Sequence, residues 1–364
     1  MPNSGNLSSQ RILNAQQMLA ERNIDLAIIT PGTNYRYLTN QRAVALERLT
    51  ALVITQSQYW LIVPELEFNQ AREFHNEVEI ISWRETDDPY SMVQARTPNS
   101  KVIALDEKMP FFHVEKFQKV FSAEFLSCSP ISDAMRSKKS DKEIQELTRV
   151  SAAINAVHLS IPEIKFTNRT ELAVAKEIES MIREEHETVD FVIIASGPNS
   201  ANPHHQPGER IIQGGDVVVI DIGGTSKSGY CSDCTRTYVV DNPDPEFVKD
   251  YEILSVAQNL GVSSAKVGIT AESLDKQVRD HLIANDLGQW FVHRLGHGIG
   301  METHEAPWLL AGNKNLLEEG NVFSIEPGFY IPGKWGARIE DIVALSGSKT
   351  LNFNDFDHSL RIVH

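Results

Sequence analysis

The pattern of apolar and polar positions divides the chain into two parts that differ in the order of their predicted strands and helices. In the first part, strand-like apolar runs alternate with helical patterns; the runs lie at 26–30, 50–55, 59–64 and 101–105, and the helical patterns at 8–22 and 113–121. Such alternation is typical of an α/β domain. We therefore predict a smaller N-terminal α/β domain over residues 1–134.

The second part begins with two helices and then becomes rich in strands. Ser140 is a suitable N-cap for a long helix, and Thr170 for a second one whose apolar residues repeat at helical spacing. Apolar runs and further helical patterns follow: runs at 190–197, 215–224 and 234–240, helices at 245–265 and 271–286, and strands again up to a final strand or two after 345. This order predicts an α+β domain over residues 135–364, with a curved antiparallel sheet flanked by helices.

Four carboxylates and one histidine lie within or at the ends of these predicted strands. They are Asp221, Asp233, His297, Glu326 and Glu340. Any one such carboxylate is more often a surface or capping residue, but several lie in strongly apolar runs, where burying an ionised group costs several kcal/mol unless it is compensated. Together they favour a pair of divalent metal ions, and oxygen ligands with one imidazole suit Mn first, then Co, Zn or Fe.

Histidines cluster near the same segments. His204 follows a proline, and His293, His297 and His304 share one glycine-rich stretch. An isolated histidine is more often an ordinary polar residue than a ligand, but two clusters beside loop-forming glycines and prolines indicate a functional site.

Composition narrows the class of protein. The chain has 364 residues and a net charge of −15, which argues against nucleic-acid partners, and it lacks a long apolar run of the kind that spans a membrane. The N-terminal MPNSGNLSSQRILNAQ shows no signal-peptide pattern, and Cys128, Cys231 and Cys234 cannot build a disulfide framework, so we expect a cytoplasmic protein. Cys231 and Cys234 form a CxxC, but within a strand their side chains should diverge, which predicts packing rather than redox or zinc chemistry.

Several sequence blocks resemble one enzyme family. The blocks are ASGPNSANPHH, VVVIDIGG with SDCTRTY, HRLGHGIGMETHEAP and FSIEPGFYIPGKWGARIEDIV. They are similar to those of the "pita-bread" metallopeptidases, which comprise methionine aminopeptidase, aminopeptidase P and prolidase. In the first part, TPGTNYRYLTN and VPELE are similar to the N-terminal domain of the Xaa-Pro peptidases, and ERLTALV and WRETDDPY resemble the short bacterial Xaa-Pro dipeptidases. The resemblance implies a pita-bread catalytic domain after a creatinase/prolidase-type N-terminal domain.

The resemblance also implies roles for the five candidate ligands. Asp221 and Asp233 would bind the first metal, Asp233 and Glu340 would bridge both, and His297 with Glu326 would complete the second. Asp221 and Asp233 are twelve positions apart, one more than is usual in the family, and a hairpin turn can absorb the extra residue.

Further residues match functional positions of the family. His204, His293 and His304 match substrate-side histidines, and Arg338 matches an arginine behind the ligands. Glu326 would move the proton from the nucleophile to the proline nitrogen, and His304 would stabilise the oxyanion. The expected substrates are dipeptides or short peptides with an Xaa-Pro bond, and the expected assembly is a homodimer.

The length of peptide that such an enzyme prefers depends on which cation binds the carboxylate of the substrate. Many prolidases carry an arginine where this chain has Trp308, so another cation must replace it, and Arg48 is one candidate, although a surface pair with Glu47 explains it equally well. The alternatives are an aminopeptidase P that acts on longer peptides, a creatinase-like hydrolase without metal, and a binding module without activity. The last two are expected to lose ligands that this chain retains.

Overall fold

A computed structural model describes residues 5–74, 78–347 and 349–364, and divides the chain into two compact units, Met1–Met135 and Arg136–His364. Residues 1–4, which belong to the N-terminal segment without a signal-peptide pattern, lie outside the described residues. Within the described part of the chain, no helix is long and apolar enough to cross a membrane.

The first unit is a mixed β-sheet with helices. Its strands are β1 (Leu26–Ile29), β2 (Ala51–Thr55), β3 (Tyr59–Pro64), β4 (Glu79–Trp83), β5 (Val102–Leu105) and β6 (Glu124–Ser127). Its helices are α1 (Gly5–Glu21), α2 (Thr33–Thr39), α3 (Phe68–Phe74), α4 (Pro89–Arg96), α5 (Phe111–Val120) and α6 (Ser129–Ser137), which ends just beyond the boundary between the units. The strand order is β4-β3-β2-β1-β5-β6, with antiparallel pairs in the middle and parallel pairs towards both edges. The predicted α/β character is confirmed.

Long helices of the second unit begin at the predicted caps. The helices are α7 (Asp141–Ser160), α8 (Glu171–Glu185), α9 (Pro245–Ser264) and α10 (Ala271–Ala284). Ser140 and Glu143 form a reciprocal capping box at the start of α7, and the Thr170 hydroxyl accepts a hydrogen bond from Ala173 N at the start of α8. Their apolar faces pack against the strands and form the core of this unit.

The strands of the second unit form two larger sheets and a hairpin. They are β7 (Thr188–Ser196), β8 (Val217–Thr225), β9 (Cys231–Val240), β10 (Gly296–Gly298), β11 (Glu305–Leu309), β12 (Val322–Ile325), β13 (Gly328–Ile331), β14 (Trp335–Arg338), β15 (Asp341–Ser346), β16 (Lys349–Asn352) and β17 (Arg361–Val363). One sheet has the order β17-β9-β8-β7, another β11-β10-β12-β15-β16, and β13 pairs with β14. The prediction of an antiparallel sheet holds for most pairs but is wrong for β17, which pairs with β9 in parallel because the chain returns from the far end of the domain.

The hairpin of β8 and β9 brings the first two candidate ligands together. Asp221 lies opposite Thr235, and Asp233 lies opposite Gly223, so the two aspartates occupy neighbouring rows on the same face of the sheet. The pairing closes at Thr225 and Cys231, and the loop between them accommodates the additional residue without a shift in register.

The two cysteines of the CxxC pack on opposite sides of β9. Cys234 lies in the core between the sheet and the helices α7 and α8, whereas Cys231 lies in a separate apolar cluster; both are free and buried. The packing prediction is therefore confirmed.

A histidine in the same core is held in its neutral form. His158 is fully buried, its Nε2–H donates to the Cys234 carbonyl at 3.0 Å, and its Nδ1 lies 3.1 Å from the Tyr238 hydroxyl. Burial, reinforced by the positive charge of Arg236, lowers the pKa of His158 to about 3.

Candidate metal centre

The five candidate ligands converge although they come from separate strands. Ligand atoms of Asp221, Asp233 and Glu340 lie within 4.8 Å of one another, and so do those of His297, Glu326 and Glu340. Glu340, in the connection between β14 and β15, belongs to both groups. Such an arrangement could hold two cations that share a carboxylate.

Hydrogen bonds orient two of the carboxylates. The Thr235 hydroxyl donates to Glu340 Oε2 at 2.8 Å, and Arg338 Nη2 donates to Asp221 Oδ2 at 2.6 Å. Arg338 Nε also donates to the Thr235 hydroxyl at 3.0 Å, which links the two contacts. Asp221 and Glu340 are thus positioned by one connected set of donors, as metal ligands usually are.

The histidine ligand has a fixed orientation. His297 Nδ1–H donates to the Gly298 carbonyl at 3.1 Å, which leaves Nε2 directed at Glu326 Oε1, 3.2 Å away, and at Asp233 Oδ2, 3.7 Å away. Ser324 fixes this corner, because its hydroxyl accepts from the His297 backbone N–H and donates to Glu326 Oε1. An imidazole whose Nδ1–H is bound to a carbonyl presents its Nε2 to the carboxylates, where it can coordinate a metal ion.

The cluster carries an excess of negative charge that a cation would balance. Asp221 Oδ1 and Glu340 Oε1 are buried and accept no hydrogen bond from any described residue. Burial raises the pKa of Asp233 and of Glu340 well above their usual range, and repulsion between the neighbouring carboxylates adds to the effect. For Glu326 burial acts in the same direction, but the hydrogen bond and charge of His297 outweigh it and lower the pKa to about 2. The residues therefore fit divalent cations.

The cluster lies at the base of a cavity of about 1060 Å³. The predicted residues His204, His293, His304 and Arg338 also line it. The remaining lining residues include an apolar wall and several polar groups: Phe191, Val192, Ile193, Leu310, Asp190, Asn202, Pro203, Gln206, Arg294 and Thr303. The predicted ligands and histidines thus share one cavity, large enough for a small peptide.

A chain of hydrogen bonds connects Arg338 with His293. Arg338 Nη1 donates to the Tyr330 hydroxyl at 2.7 Å, the Tyr330 hydroxyl donates to His293 Nε2 at 3.0 Å, and His293 Nδ1–H donates to the Arg294 carbonyl at 2.8 Å. Burial lowers the pKa of His293, so the ring is neutral and Nε2 is an acceptor. Tyr330 was not singled out from the sequence; its position two residues after Pro-Gly in a strand was the available signal.

The other two histidines lie nearer the mouth of the cavity. The ring of His304 lies against that of His297, with 4.0 Å between the ring centroids. Its partial enclosure, followed by the charges of His297 and Arg294, lowers its pKa to about 4, so it is neutral at pH 7 and can donate one ring N–H. His204 is exposed on the loop after the turn Gly197–Ala201, and its ring faces the cavity.

The two residues expected to govern peptide length have different positions. Arg48 lies in the first unit, where Nη1 contacts Glu47 at 2.7 Å and Nε contacts Glu85 at 2.6 Å. Trp308 does not line the cavity; it packs under Arg294, whose Cζ lies 4.6 Å from the centroid of the ring. Sequence reasoning missed Arg294, although its place next to His293 was a signal.

Comparison with known proteins identifies the family. The sequence profile of Metallopeptidase family M24 matches residues 145–346, and that of the Creatinase/Prolidase N-terminal domain matches residues 11–138.

The chain belongs to metallopeptidase family M24. A probable dipeptidase, PepE, of Mycobacterium tuberculosis is 38% identical over 361 residues, which cover 98% of this chain and 96% of that protein. An Xaa-Pro dipeptidase of Lactobacillus helveticus is 33% identical over 357 residues, covering 94% and 96%. The crystal structure of dipeptidase PepE from Mycobacterium ulcerans matches with a TM-score of 0.95 at 38% identity, covering 99% of each chain. A prolidase from Thermococcus sibiricus matches with a TM-score of 0.91 at 35% identity, covering 98% of this chain and 99% of its own.

Membership of the M24 family confirms the fold class predicted from the sequence, a pita-bread catalytic domain after a smaller α/β domain. The M24 protein is a metallopeptidase, and its family implies divalent metal ions.

Proposed function

We propose that this M24 metallopeptidase is an Xaa-Pro dipeptidase with a dinuclear metal centre. The observation that carries the proposal is the pair of buried carboxylate oxygens, Asp221 Oδ1 and Glu340 Oε1, that accept no hydrogen bond within the described part of the chain. They belong to residues lining a cavity that histidines and Arg294 also line. The likeness to Xaa-Pro dipeptidases supports the substrate class.

Asp221, Asp233, His297, Glu326 and Glu340 would hold the ions, and the oxygen-rich set favours manganese over softer metals. When bound, divalent ions supply Lewis acidity and make a water molecule a better nucleophile at neutral pH.

Glu326 is the proposed proton carrier. It is ionised at neutral pH because His297 lowers its pKa, and Ser324 holds one of its oxygens in place. One carboxylate oxygen can accept a proton from the attacking water and deliver it to the proline nitrogen as the bond breaks. The nitrogen of an Xaa-Pro bond is a tertiary amide nitrogen, and like any amide nitrogen it must receive a proton to leave as an amine.

His304 is proposed to stabilise the charge that develops on the substrate carbonyl. As a neutral ring at the wall of the cavity, it can donate one N–H to the oxyanion. A donor of this kind contributes about 3 kcal/mol to transition-state stabilisation. We propose that His293 and Arg338 position the site and that His204 contacts the substrate from the opposite side.

Arg294 is proposed to bind the carboxylate of the dipeptide. It lines the cavity and is held flat on Trp308, so its guanidinium is preorganised for an anion. Arg48 is a weaker candidate, since its guanidinium already pairs with Glu47 and Glu85. A free carboxylate next to proline occurs in Ala-Pro but not in Ala-Pro-Ala, so this arginine would favour dipeptides over longer peptides.

The experiment compares hydrolysis of Ala-Pro, Ala-Pro-amide and Ala-Pro-Ala by the manganese-loaded enzyme. We expect Ala-Pro to be preferred, and Arg294→Ala to raise its KM at least about tenfold while the smaller activity on Ala-Pro-amide changes little. Arg48→Ala is the matched control in the first unit. Preference for Ala-Pro-Ala would instead indicate an aminopeptidase P, and loss of selectivity in the Arg48 variant alone would return the role to Arg48.

Glu326→Gln tests the chemistry itself. We expect at least about a hundredfold lower kcat on Ala-Pro at unchanged manganese content. Near-normal turnover by a metal-replete variant would refute the role of Glu326, and activity indifferent to chelation would favour a creatinase-like hydrolase. No hydrolysis of any peptide by the manganese-loaded wild type would favour a binding module.

We also propose a cytoplasmic homodimer. The free, buried cysteines suit a reducing compartment, and resemblance to the family supports the dimer. Light scattering on the purified protein tests the assembly, and fractionation of the source cells tests the compartment.

A further inference from the structure

A carboxylate outside the ligand cluster lies at an irregularity in the sheet. In the pairing of β7 with β8, Val189 lies opposite Gly224 and Phe191 opposite Gly223, so Asp190 is an extra residue in a β-bulge. Bulges often redirect a side chain next to an active site. β7 is the edge strand of its sheet, and Asp190 is exposed.

The bulge directs Asp190 to the same face as the ligands. The Thr225 hydroxyl donates to Asp190 Oδ2 at 2.6 Å, and Thr225 lies four residues after Asp221 on β8, hence on the same face. The Thr188 hydroxyl donates to Asp190 Oδ1 at 2.9 Å. Two threonines therefore hold the carboxylate in one orientation, and it lines the cavity.

The strand register gives its distance from the ligands. Asp233 lies opposite Gly223, two residues before Thr225, and β8 separates β9 from β7. The Asp190 carboxylate beside Thr225 is therefore offset from Asp233 by about 7 Å along the strands and about 10 Å across them. From a substrate bound at the ligands, an extended lysine or arginine side chain can reach towards Asp190, whereas the α-amino group next to the scissile carbonyl cannot. Phe191, opposite Gly223, and Ile193, opposite Asp221, line the cavity and offer apolar contact to a methylene stem.

The charge of Asp190 is available to a ligand. The residue is exposed, and in the portions of the chain that the structure describes no lysine or arginine pairs with it. We propose that Asp190 is a specificity-determining residue that selects a basic side chain, lysine or arginine, in the position before proline. The inference rests on the proposed Xaa-Pro dipeptidase function and names its preferred substrate class.

The test measures kcat/KM of the manganese-loaded enzyme for Lys-Pro, Met-Pro and Glu-Pro. Methionine matches the length of lysine without its charge. We expect the wild type to favour Lys-Pro over Met-Pro, and Asp190→Asn to reduce that ratio about fivefold, as loss of one partly exposed ion pair would. Asp190→Lys should instead favour Glu-Pro. Glu185→Gln removes the same charge from an exposed position outside the cavity and serves as the matched control.

Salt provides a second readout. Added NaCl should lower the wild-type ratio of Lys-Pro to Met-Pro and leave the ratio of Asp190→Asn unchanged, because screening acts only on the ion pair.

The outcomes separate this inference from the function on which it rests. Equal loss on all three dipeptides in Asp190→Asn would overturn it and indicate a structural role for the carboxylate. An unchanged ratio in both Asp190 variants would overturn it as well, while hydrolysis of the dipeptides would leave the proposed function intact. If the wild type cleaves no Xaa-Pro dipeptide, the proposed function fails and the inference fails with it.

Discussion

The buried carboxylates should make the metal-free enzyme less stable than a variant with one charge fewer. We expect Glu340→Gln to unfold at a higher urea concentration than the wild type when both are kept in chelator at pH 7.5. The amide retains the oxygen that accepts from Thr235. Its new N–H group can donate to a neighbouring carboxylate such as Asp221, whose Oδ1 accepts from none of the residues that the structure describes.

The distances give the magnitude. Ligand oxygens of Asp221, Asp233 and Glu340 lie within 4.8 Å of one another. At an effective dielectric constant of about 20, two charges at that distance repel by about 3.5 kcal/mol. The wild type can relieve the repulsion by binding a proton, at a cost of about 4 kcal/mol at pH 7.5 for a group with an ordinary pKa of 4.5. At pH 7.5 the repulsion costs less than protonation, so the wild type retains it. Removing one charge in Glu340→Gln should therefore raise the free energy of unfolding by about 3 kcal/mol.

The pH dependence has a definite sign. Burial and repulsion raise the pKa of Glu340 in the folded state, so the folded wild type binds more protons than the unfolded chain above pH 4.5, and its stability falls as pH rises. At pH 5.0 protonation costs only about 0.7 kcal/mol, so the advantage of the variant should shrink to less than about 1 kcal/mol.

Urea unfolding followed by circular dichroism, in EDTA at both pH values, measures this effect. The transition of the second unit is the one that moves when Mn²⁺ replaces EDTA. In Mn²⁺ the order of stability should reverse, since ligand at about a thousand times its Kd adds about 4.1 kcal/mol to the protein that binds it, which exceeds the advantage of the variant in EDTA. Glu163→Gln, at an exposed position of the same unit, is the control. A Glu340→Gln variant less stable than the wild type in EDTA at pH 7.5, or a difference independent of pH, would refute the reasoning.

Three further effects follow from buried polar contacts. The pKa of His158 is lowered to about 3 in the folded protein. Below pH 6.5 the free energy of unfolding of the wild type should therefore fall, relative to that of His158→Gln, by up to about 1.4 kcal/mol per pH unit. The difference in urea midpoint measures this, and parallel pH profiles would contradict it. Lys139→Met removes the Nζ that donates to buried Glu305 at 2.8 Å and should lower the free energy of unfolding by about 2 kcal/mol, while Lys139→Arg should restore most of it. Tyr330→Phe breaks the hydrogen bond to His293 and should lower kcat/KM on Ala-Pro about tenfold without loss of metal; equal kcat/KM would show that the tyrosine does not position the ring.

The parts of the fold that follow local rules could be predicted from sequence. Ser140 and Thr170 cap their helices as expected because a cap depends on neighbouring residues only. Helix α2 was missed, since Gly32 offers no capping side chain and the helix is held from a distance, for example by the Tyr37 hydroxyl on the Met135 carbonyl. The parallel pairing of β17 likewise depends on contacts that no local pattern records.

The candidate site shows the same division. Asp221 and Asp233 could be paired from sequence because a hairpin with an even register places them on one face. The direction of the Arg294 side chain could not be predicted, because it depends on the contact with Trp308 in strand β11. Asp190 was not predicted for a related reason. Its orientation depends on a bulge, which is visible only in the register with β8.

The charge of the cluster finally bears on how many metal ions it binds. Ionised Asp221, Asp233, Glu326 and Glu340, set against the guanidinium of Arg338, carry three negative charges in a buried site. One divalent ion would leave one negative charge, which repels a nucleophilic water oxygen and a developing oxyanion alike. Two would leave one positive charge, which both of them neutralise. We therefore expect calorimetric titration of the metal-free enzyme with Mn²⁺ to show two equivalents bound, the first more tightly, with activity following the second. Full activity at one equivalent would show that protons retained by the cluster already balance its charge.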